Sequence, residues 1–240
     1  MNEWKKVWNK KNCAEDISGL SFEELFLKMK LLAGYDSHGT CKISFAGFCK
    51  EYYEMIECLS VHEGNIKKLS SLYEIGCGSG ANLLLAQRDQ LAVGGADYST
   101  GVIEFAWKVF GREADIINDE AISVPVSPKY DACVSNGVFP YFPDEEYAMR
   151  VLEIMLEKSN LSMAILHLHD KERQEEILAD CRSRIENYDE RYKNLQKTFY
   201  SKKFFSDFAE KNGLHYRFTT PDMVGYWNNS YVYNVYMYKF

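Results

Sequence analysis

The segment Tyr73-Glu74-Ile75-Gly76-Cys77-Gly78-Ser79-Gly80-Ala81-Asn82 constrains this 240-residue chain more than any other. Three glycines at alternate positions follow an apolar run at residues 72–75 and precede a helical pattern at 81–88. That order marks a strand-to-helix turn. Glycine permits the tight turn and lets a ligand approach the backbone. The helix start behind it offers unpaired N–H groups and the positive end of a dipole. Glu74 ends an otherwise apolar strand, where a lone carboxylate is costly. Asp97 closes the next strand, 23 residues on, where an acid can accept hydrogen bonds from ribose hydroxyls. The glycines also satisfy the looser form Gly76-x-Gly78-x-x-Ala81, which keeps a nicotinamide-dinucleotide oxidoreductase open. A turn with no ligand at all needs the same glycines.

From residue 71 onward, short apolar runs alternate with helical patterns. Strands are predicted at 72–75, 91–96, 115–118, 130–135 and 161–168, and helices at 81–88, 99–110, 145–158, 171–187 and 203–212. Such alternation means parallel pairing through right-handed crossovers. The chain ends differently: residues 214–219 and 231–239 read as two strands with no helix between them, hence antiparallel. Before residue 65, Phe48, Tyr52, Ile56 and Leu59 recur at helical spacing, while 33–42 reads as a loop. The expected fold is therefore α/β, a doubly wound, seven-stranded, mostly parallel Rossmann-like sheet with an antiparallel C-terminal strand. Residues 1–65 are expected to form a helical cap or lid on a core at 66–240, the whole being one domain.

Composition narrows the partners. Twenty-eight Lys and Arg against 35 Asp and Glu give a net charge of −7, the opposite of the basic footprint that phosphate backbones require. No stretch approaches the ~20 apolar residues of a membrane span, and the lysines at 5, 6, 10 and 11 precede no apolar run, unlike a secretory signal. The seven cysteines contain no C-x-x-C pair, which fits free thiols in a reducing cytoplasm better than disulfides or zinc. No metal is expected.

The motifs together resemble the class I S-adenosylmethionine (SAM) dependent methyltransferases, of the type that acts on small molecules. Their opening motif, an acid and a hydrophobic residue before Gly-x-Gly-x-Gly, is reproduced by residues 74–80. An acid closing strand two is matched by Asp97-Tyr98-Ser99, and an acid followed by Ala ahead of a Leu-Pro-like pair by Glu120-Ala121 before Val124-Pro125. The segment after strand four resembles Asn136-Gly137-Val138-Phe139. The resemblance spans residues 71–142 and implies a SAM site with S-adenosylhomocysteine as product. Gly76, Cys77 and Gly78 would line the methionine part, with Glu74 helping to hold its ammonium. Asp97 would take the ribose hydroxyls, with Tyr98 and Ser99 beside the adenosine. Glu120 and Ala121 would meet the adenine, and Asn136 would sit by the methionyl group. Trp4 and Trp8 resemble the W-x-x-x-W openings of small-molecule methyltransferases, so Trp8 would cover the cofactor; docking on the core is the alternative.

Methyl transfer needs alignment and, for a hydroxyl or ammonium acceptor, removal of a proton. The C-terminal rim of strand five carries His169 and Asp170, read as general base and orienting acid, although Asp170 also suits a helix cap. His167, on the same strand face by alternation, reads as a satisfied core histidine. Tyr35, Tyr141 and Asn229 are candidates for the acceptor pocket. The expected activity is methylation of O or N on a small polar metabolite (sugar, amine or carboxylate), with no nucleic-acid or membrane partner, by a monomer or homodimer. A nucleic-acid methyltransferase remains the rival through the basic and aromatic stretch 191–205, though no Pro-Pro-aromatic motif stands at 135–138. A non-catalytic SAM-binding module is the other alternative.

Overall fold

A computed structural model describes residues 3–8, 16–35, 42–62 and 65–239. The lysines at 10 and 11, the cysteines at 13 and 41, and residues 36–41 of the loop expected at 33–42 lie outside the described residues. The main sheet has seven strands: β1 (Ser71–Ile75), β2 (Ala92–Asp97), β3 (Asp115–Asn118), β4 (Tyr130–Asn136), β5 (Ser159–His169), β6 (His215–Thr219) and β7 (Val232–Tyr238). Their spatial order is β3-β2-β1-β4-β5-β7-β6. β7 runs antiparallel to both β5 and β6, and the other pairings are parallel. The expected mixed Rossmann-like sheet is therefore the observed one. Connections leave β1 and β4 in opposite directions, which opens a crevice at the carboxyl ends of these neighbours.

Helices cover both faces. They are α1 (Glu3–Trp8), α2 (Phe22–Leu32), α3 (Phe45–Ser60), α4 (Ala81–Arg88), α5 (Thr100–Phe110), α6 (Glu145–Lys158), α7 (Gln174–Arg184), α8 (Tyr188–Arg191) and α9 (Lys202–Lys211). Strand alternation sorts the core into two layers. Leu72, Ala132, Val134 and Ala164 pack with Phe48, Tyr52, Met55 and Leu59 of α3 and with Leu84 and Leu85 of α4. On the other face Tyr73, Cys133, Ile165 and Val235 meet Val151, Leu152 and Met155 of α6 and Phe205 and Phe208 of α9. α2 begins with a reciprocal capping box between Ser21 and Glu24, which satisfies two backbone donors at once.

Two elements depart from the sequence reading. The helix expected at 171–187 is broken into a 3₁₀ turn at Lys171–Arg173, α7, and α8 after a left-handed Asn187. Only Ile177 and Cys181 of α7 are buried, so no continuous apolar stripe holds a longer helix together. In β5, Ile165 pairs with Val235 but Leu168 pairs with Tyr233. Three residues thus span what two do on β7, a β-bulge that shifts side-chain alternation. His167 sits in it at φ 57, its N–H donating to Asn234 Oδ1 at 2.9 Å.

Lys158, the last residue of α6, is wholly buried. Its ammonium donates to the Pro125 carbonyl at 2.9 Å and lies 4.0 Å from the Tyr73 ring centroid. Lys158→Ala orphans that carbonyl and removes the cation–π contact. It is expected to lower stability by roughly 2–4 kcal/mol, read as a fall in the urea midpoint, with Lys158→Met recovering part of the loss through packing.

Candidate functional site

A cavity of about 790 Å³ opens at the carboxyl ends of β1, β2 and β4. Its floor is the glycine turn, in which Gly76, Gly78 and Gly80 have φ of 77°, 55° and 86°. A Cβ at Gly76 would lie 2.3 Å from Val138 Cγ2, so glycine is required there by conformation and by space. The turn's amides are already engaged. Gly76 and Cys77 N–H donate to the Ala96 carbonyl at 2.7 and 3.0 Å, and Gly80 N–H donates to Cys77 O at 2.9 Å. Gly78 N–H donates to Asp97 Oδ2 at 3.0 Å.

Three acids face this space from successive strand ends. Glu74 is buried; its Oε1 accepts from Asn82 Nδ2 at 2.7 Å, while Oε2 has no hydrogen-bond partner. Burial pushes its carboxyl up to about 7, against the pull of Lys30 and Asn82. Asp97 also accepts from the Ser99 N–H at 2.8 Å, which fixes its carboxylate at the β2 rim. Glu120 accepts from the Tyr147 hydroxyl at 3.3 Å. α1 folds over this end: the Trp8 carbonyl accepts from Ser99 Oγ at 3.0 Å, and Trp4 and Trp8 pack edge-on against Tyr141.

The opposite end is built by other segments. Lys30 of α2 donates to Asn82 Oδ1 at 2.9 Å, and Ser79 Oγ donates to the Met29 carbonyl at 2.6 Å, strapping α2 to the turn. Burial lowers the Lys30 pKa, while Glu51 and Glu74 work to raise it. Glu51 of α3 meets His167 Nε2 of the bulge, and the imidazole stacks on Tyr226 at 5.0 Å between centroids. Tyr35 accepts from the Ile43 N–H at 2.7 Å. Ile43, Phe48 and Met223 complete the wall.

Of the residues singled out in the sequence, Trp8, Tyr35, Glu74, Gly76, Cys77, Gly78, Asp97, Tyr98, Ser99, Glu120, Ala121, Asn136 and Tyr141 line this one cavity. Three do not. His169 faces a separate cavity of about 240 Å³ beside Cys181 and Phe199. Burial, with Lys197 and His167 nearby, holds its pKa well down. The Asp170 side chain accepts from the Glu172 N–H at 3.0 Å and pairs with Lys202, the helix-cap alternative. Asn229 acts indirectly: its amide brackets Met223, accepting from its N–H at 3.2 Å and donating to its carbonyl at 2.8 Å. His167 reverses its reading, because the bulge turns it from the α6 face of the sheet to the α3 face. Lys30, Glu51 and Tyr226 were missed. The signal for Glu51 was present: an acid between Phe48 and Met55, at i+3 and i−4, lies within an apolar helical stripe. Among the described residues, no group of three His, Cys, Asp or Glu is placed to hold a metal, and no helix is long and apolar enough to cross a membrane.

Comparisons with known proteins agree with this geometry. Residues 73–159 match the family model described as a methyltransferase domain. No curated protein matches the sequence at a significant level. Among solved structures, the plantazolicin methyltransferase BpumL, in complex with a pentazolic desmethylPZN analog and S-adenosylhomocysteine, is 17% identical. The alignment covers 100% of this chain and 99% of that one, with a TM-score of 0.62. Magnesium protoporphyrin IX methyltransferase (ChlM) from Synechocystis PCC 6803, with bound SAM, is 14% identical over 94% of this chain and 100% of that one, at 0.58. The methyltransferase domain of bacterial CtHen1-CN is 16% identical over 81% and 98%, at 0.53. The resemblance to class I methyltransferases drawn from the four motifs therefore holds, in the matched segment and in the fold.

Glu74 gives this site a pH signature. Its folded value of about 7 lies above the ordinary 4.5, so between these values the folded protein holds a proton that the unfolded chain has lost. Its contribution favours the fold below about pH 4.5 and is lost as pH rises through 7, by up to about 3 kcal/mol. Urea unfolding at pH 5 and pH 8 is expected to show a fall in stability for the wild type that Glu74→Gln flattens.

Proposed function

We propose that this protein is a SAM-dependent methyltransferase that moves a methyl group to O or N of a small polar molecule. The observation that carries the reading is the buried Glu74 carboxylate with one oxygen unpartnered beside the glycine turn. Such a group calls for a cation, and SAM supplies an ammonium. A pyrophosphate would be repelled by Glu74 and would find four amides of the turn already engaged. That weighs against the dinucleotide reading.

The residues fit the cofactor. Glu74 would hold the ammonium, Asp97 the ribose hydroxyls, and Glu120 with the Ala121 N–H the adenine edge, with Tyr98, Ser99 and Trp8 walling the adenosine. Gly76, Cys77, Gly78 and Asn136 would border the methionyl part. When bound, SAM supplies a methyl carbon activated by a sulfonium. The protein's own work is alignment, exclusion of water by Trp8, Tyr141 and Phe142, and handling of the acceptor's proton. The cavity lies in the upper part of the ~300–1,000 Å³ span of small-molecule sites, which suits a cofactor with a compact acceptor beside it. In the basic stretch 191–205, Lys203 pairs with Asp207 and Lys202 with Asp170, which weighs against a nucleic-acid groove. The described cysteines are free thiols, consistent with a reducing cytoplasm. We further take the chain as one domain, a monomer or homodimer, with residues 1–65 as the cap.

Calorimetric titration with S-adenosylhomocysteine, NAD and NADH tests the reading. Micromolar binding of S-adenosylhomocysteine alone is expected, weakened at least about tenfold in Asp97→Ala, a loss of roughly 1.4 kcal/mol. Because the ammonium favours ionised Glu74, affinity is expected to rise from pH 5 to pH 7 in the wild type and to stay flat in Glu74→Gln. Binding of NADH instead would overturn the assignment.

A further inference from the structure

We propose that His167 takes the proton from the methyl acceptor and that Glu51 positions it for that task, an inference that rests on the methyl-transfer reading above. A left-handed backbone is uncommon for any residue but glycine, although histidine tolerates it better than most; here it occupies a bulge, a device that re-aims a side chain. Strict alternation from Ile165 would bury residue 167 under α6 and α9; the bulge delivers it to the cavity instead. Asn234 Oδ1 holds its backbone N–H at 2.9 Å, so the conformation is built in from the neighbouring strand.

The ring is fixed on two sides. Glu51 Oε1 meets Nε2, an atom sealed from solvent, and Tyr226 stacks 23° from parallel with the ring. Burial works to raise the Glu51 carboxyl, but His167 and Lys30 beside it outweigh that and hold it below the ordinary value. An ionised carboxylate at Nε2 keeps the imidazole proton there, which leaves Nδ1 as the atom with a lone pair for a ligand. The charged and titratable groups around the ring are Glu51 from α3, Lys30 from α2 behind it, Tyr226 from the 220–231 loop and His169 on its own strand, whose pKa burial holds well down. A base oriented by a carboxylate at the edge of a substrate cavity is the general arrangement for proton removal.

The step balances without further reagents. The acceptor's O or N forms a bond to the methyl carbon, the carbon–sulfur bond breaks with its electron pair going to sulfur, and the acceptor's proton passes to His167 Nδ1. The resulting imidazolium is held by Glu51. Acceptors that give up a proton, hydroxyls and amines, fit this site; a thioether, which has none to give, does not. Ile43, Phe48 and Met223, which line the same cavity, favour an acceptor that carries the reacting group on an apolar body.

Nitrogen-15 spectra of imidazole-labelled full-length protein with S-adenosylhomocysteine bound test the arrangement without an acceptor. In the neutral imidazole of His167 the proton is expected on Nε2 and the lone pair on Nδ1, a preference lost in Glu51→Gln and kept in Glu51→Asp. A proton on Nδ1 in the wild type, or an unchanged spectrum in Glu51→Gln, overturns the dyad. Tritiated SAM offered with a phenol, a primary amine and a thioether then tests the chemistry. Transfer to O or N is expected, falling at least about 100-fold in His167→Gln while S-adenosylhomocysteine affinity stays within about twofold. Transfer to the thioether alone, transfer to none, or a variant rate within about threefold of wild type overturns the proposal. Wild-type protein that fails to bind S-adenosylhomocysteine is a distinct failure, that of the methyl-transfer reading itself.

Discussion

A chain of buried and half-buried polar groups ties the molecule together at the cavity. It runs from Glu74 on β1 to Asn82 on α4, on to Lys30 of α2 through hydrogen bonds of 2.7 and 2.9 Å, and by charge from Lys30 to Glu51 of α3 and His167 of β5. Each member is costly to bury alone, and each is compensated by the next. Remove the chain and α2, α3 and α4 keep apolar contact, which is non-directional, and single hydrogen bonds such as Ser79 Oγ to the Met29 carbonyl and Ser162 Oγ to the Leu59 carbonyl. The same groups line the cavity, so the structure's most exacting internal constraint and its candidate chemistry coincide.

The glycine turn shows how similar local sequences serve different ligands. A phosphate cradle needs free backbone N–H groups. Here Ala96, Asp97 and Cys77 take them up, turning the loop into a rigid wall whose outward character is set by acids. The electrostatic sense of the site is therefore set by the acids Glu74 and Asp97 rather than by backbone donors, although the glycine spacing taken alone is compatible with either cofactor class.

Most of the fold was legible because its elements are local. Periodicity and punctuation place all seven strands of the sheet to within about two residues, and α4 and α6 to the residue. The acid-lined wall of the cavity was legible for the same reason: its acids sit at strand ends, and strand ends are marked by glycine, serine and proline. What was not legible depends on register. His167 and His169 look equivalent under period-two alternation, and only the pairing of Ile165 with Val235 and Leu168 with Tyr233 reveals that one enters the cavity and the other a separate pocket. Likewise Asn229 is a polar loop residue in sequence, and its role in bracketing Met223 exists only once the loop has closed. Lys30 and Glu51 lie on amphipathic helices where charge usually means solvent; their burial follows from one another and from Asn82, a three-body condition no single pattern carries.

The cavity's two ends also have different addresses along the chain. Glu74, Asp97, Glu120 and Asn136 fall inside the segment that matches the methyltransferase domain, whereas Lys30, Tyr35, Glu51, His167, Met223 and Tyr226 all fall outside it. One end is encoded almost contiguously, with only Trp8 of α1 reaching it from outside; the other is assembled from an N-terminal helix pair, a strand irregularity and the loop before the last strand. Changes in those outlying segments can therefore reshape one half of the site while leaving the other intact. Two chains alike in the central segment can accept quite different molecules, and divergence in choice of substrate would be recorded at the margins of the sequence.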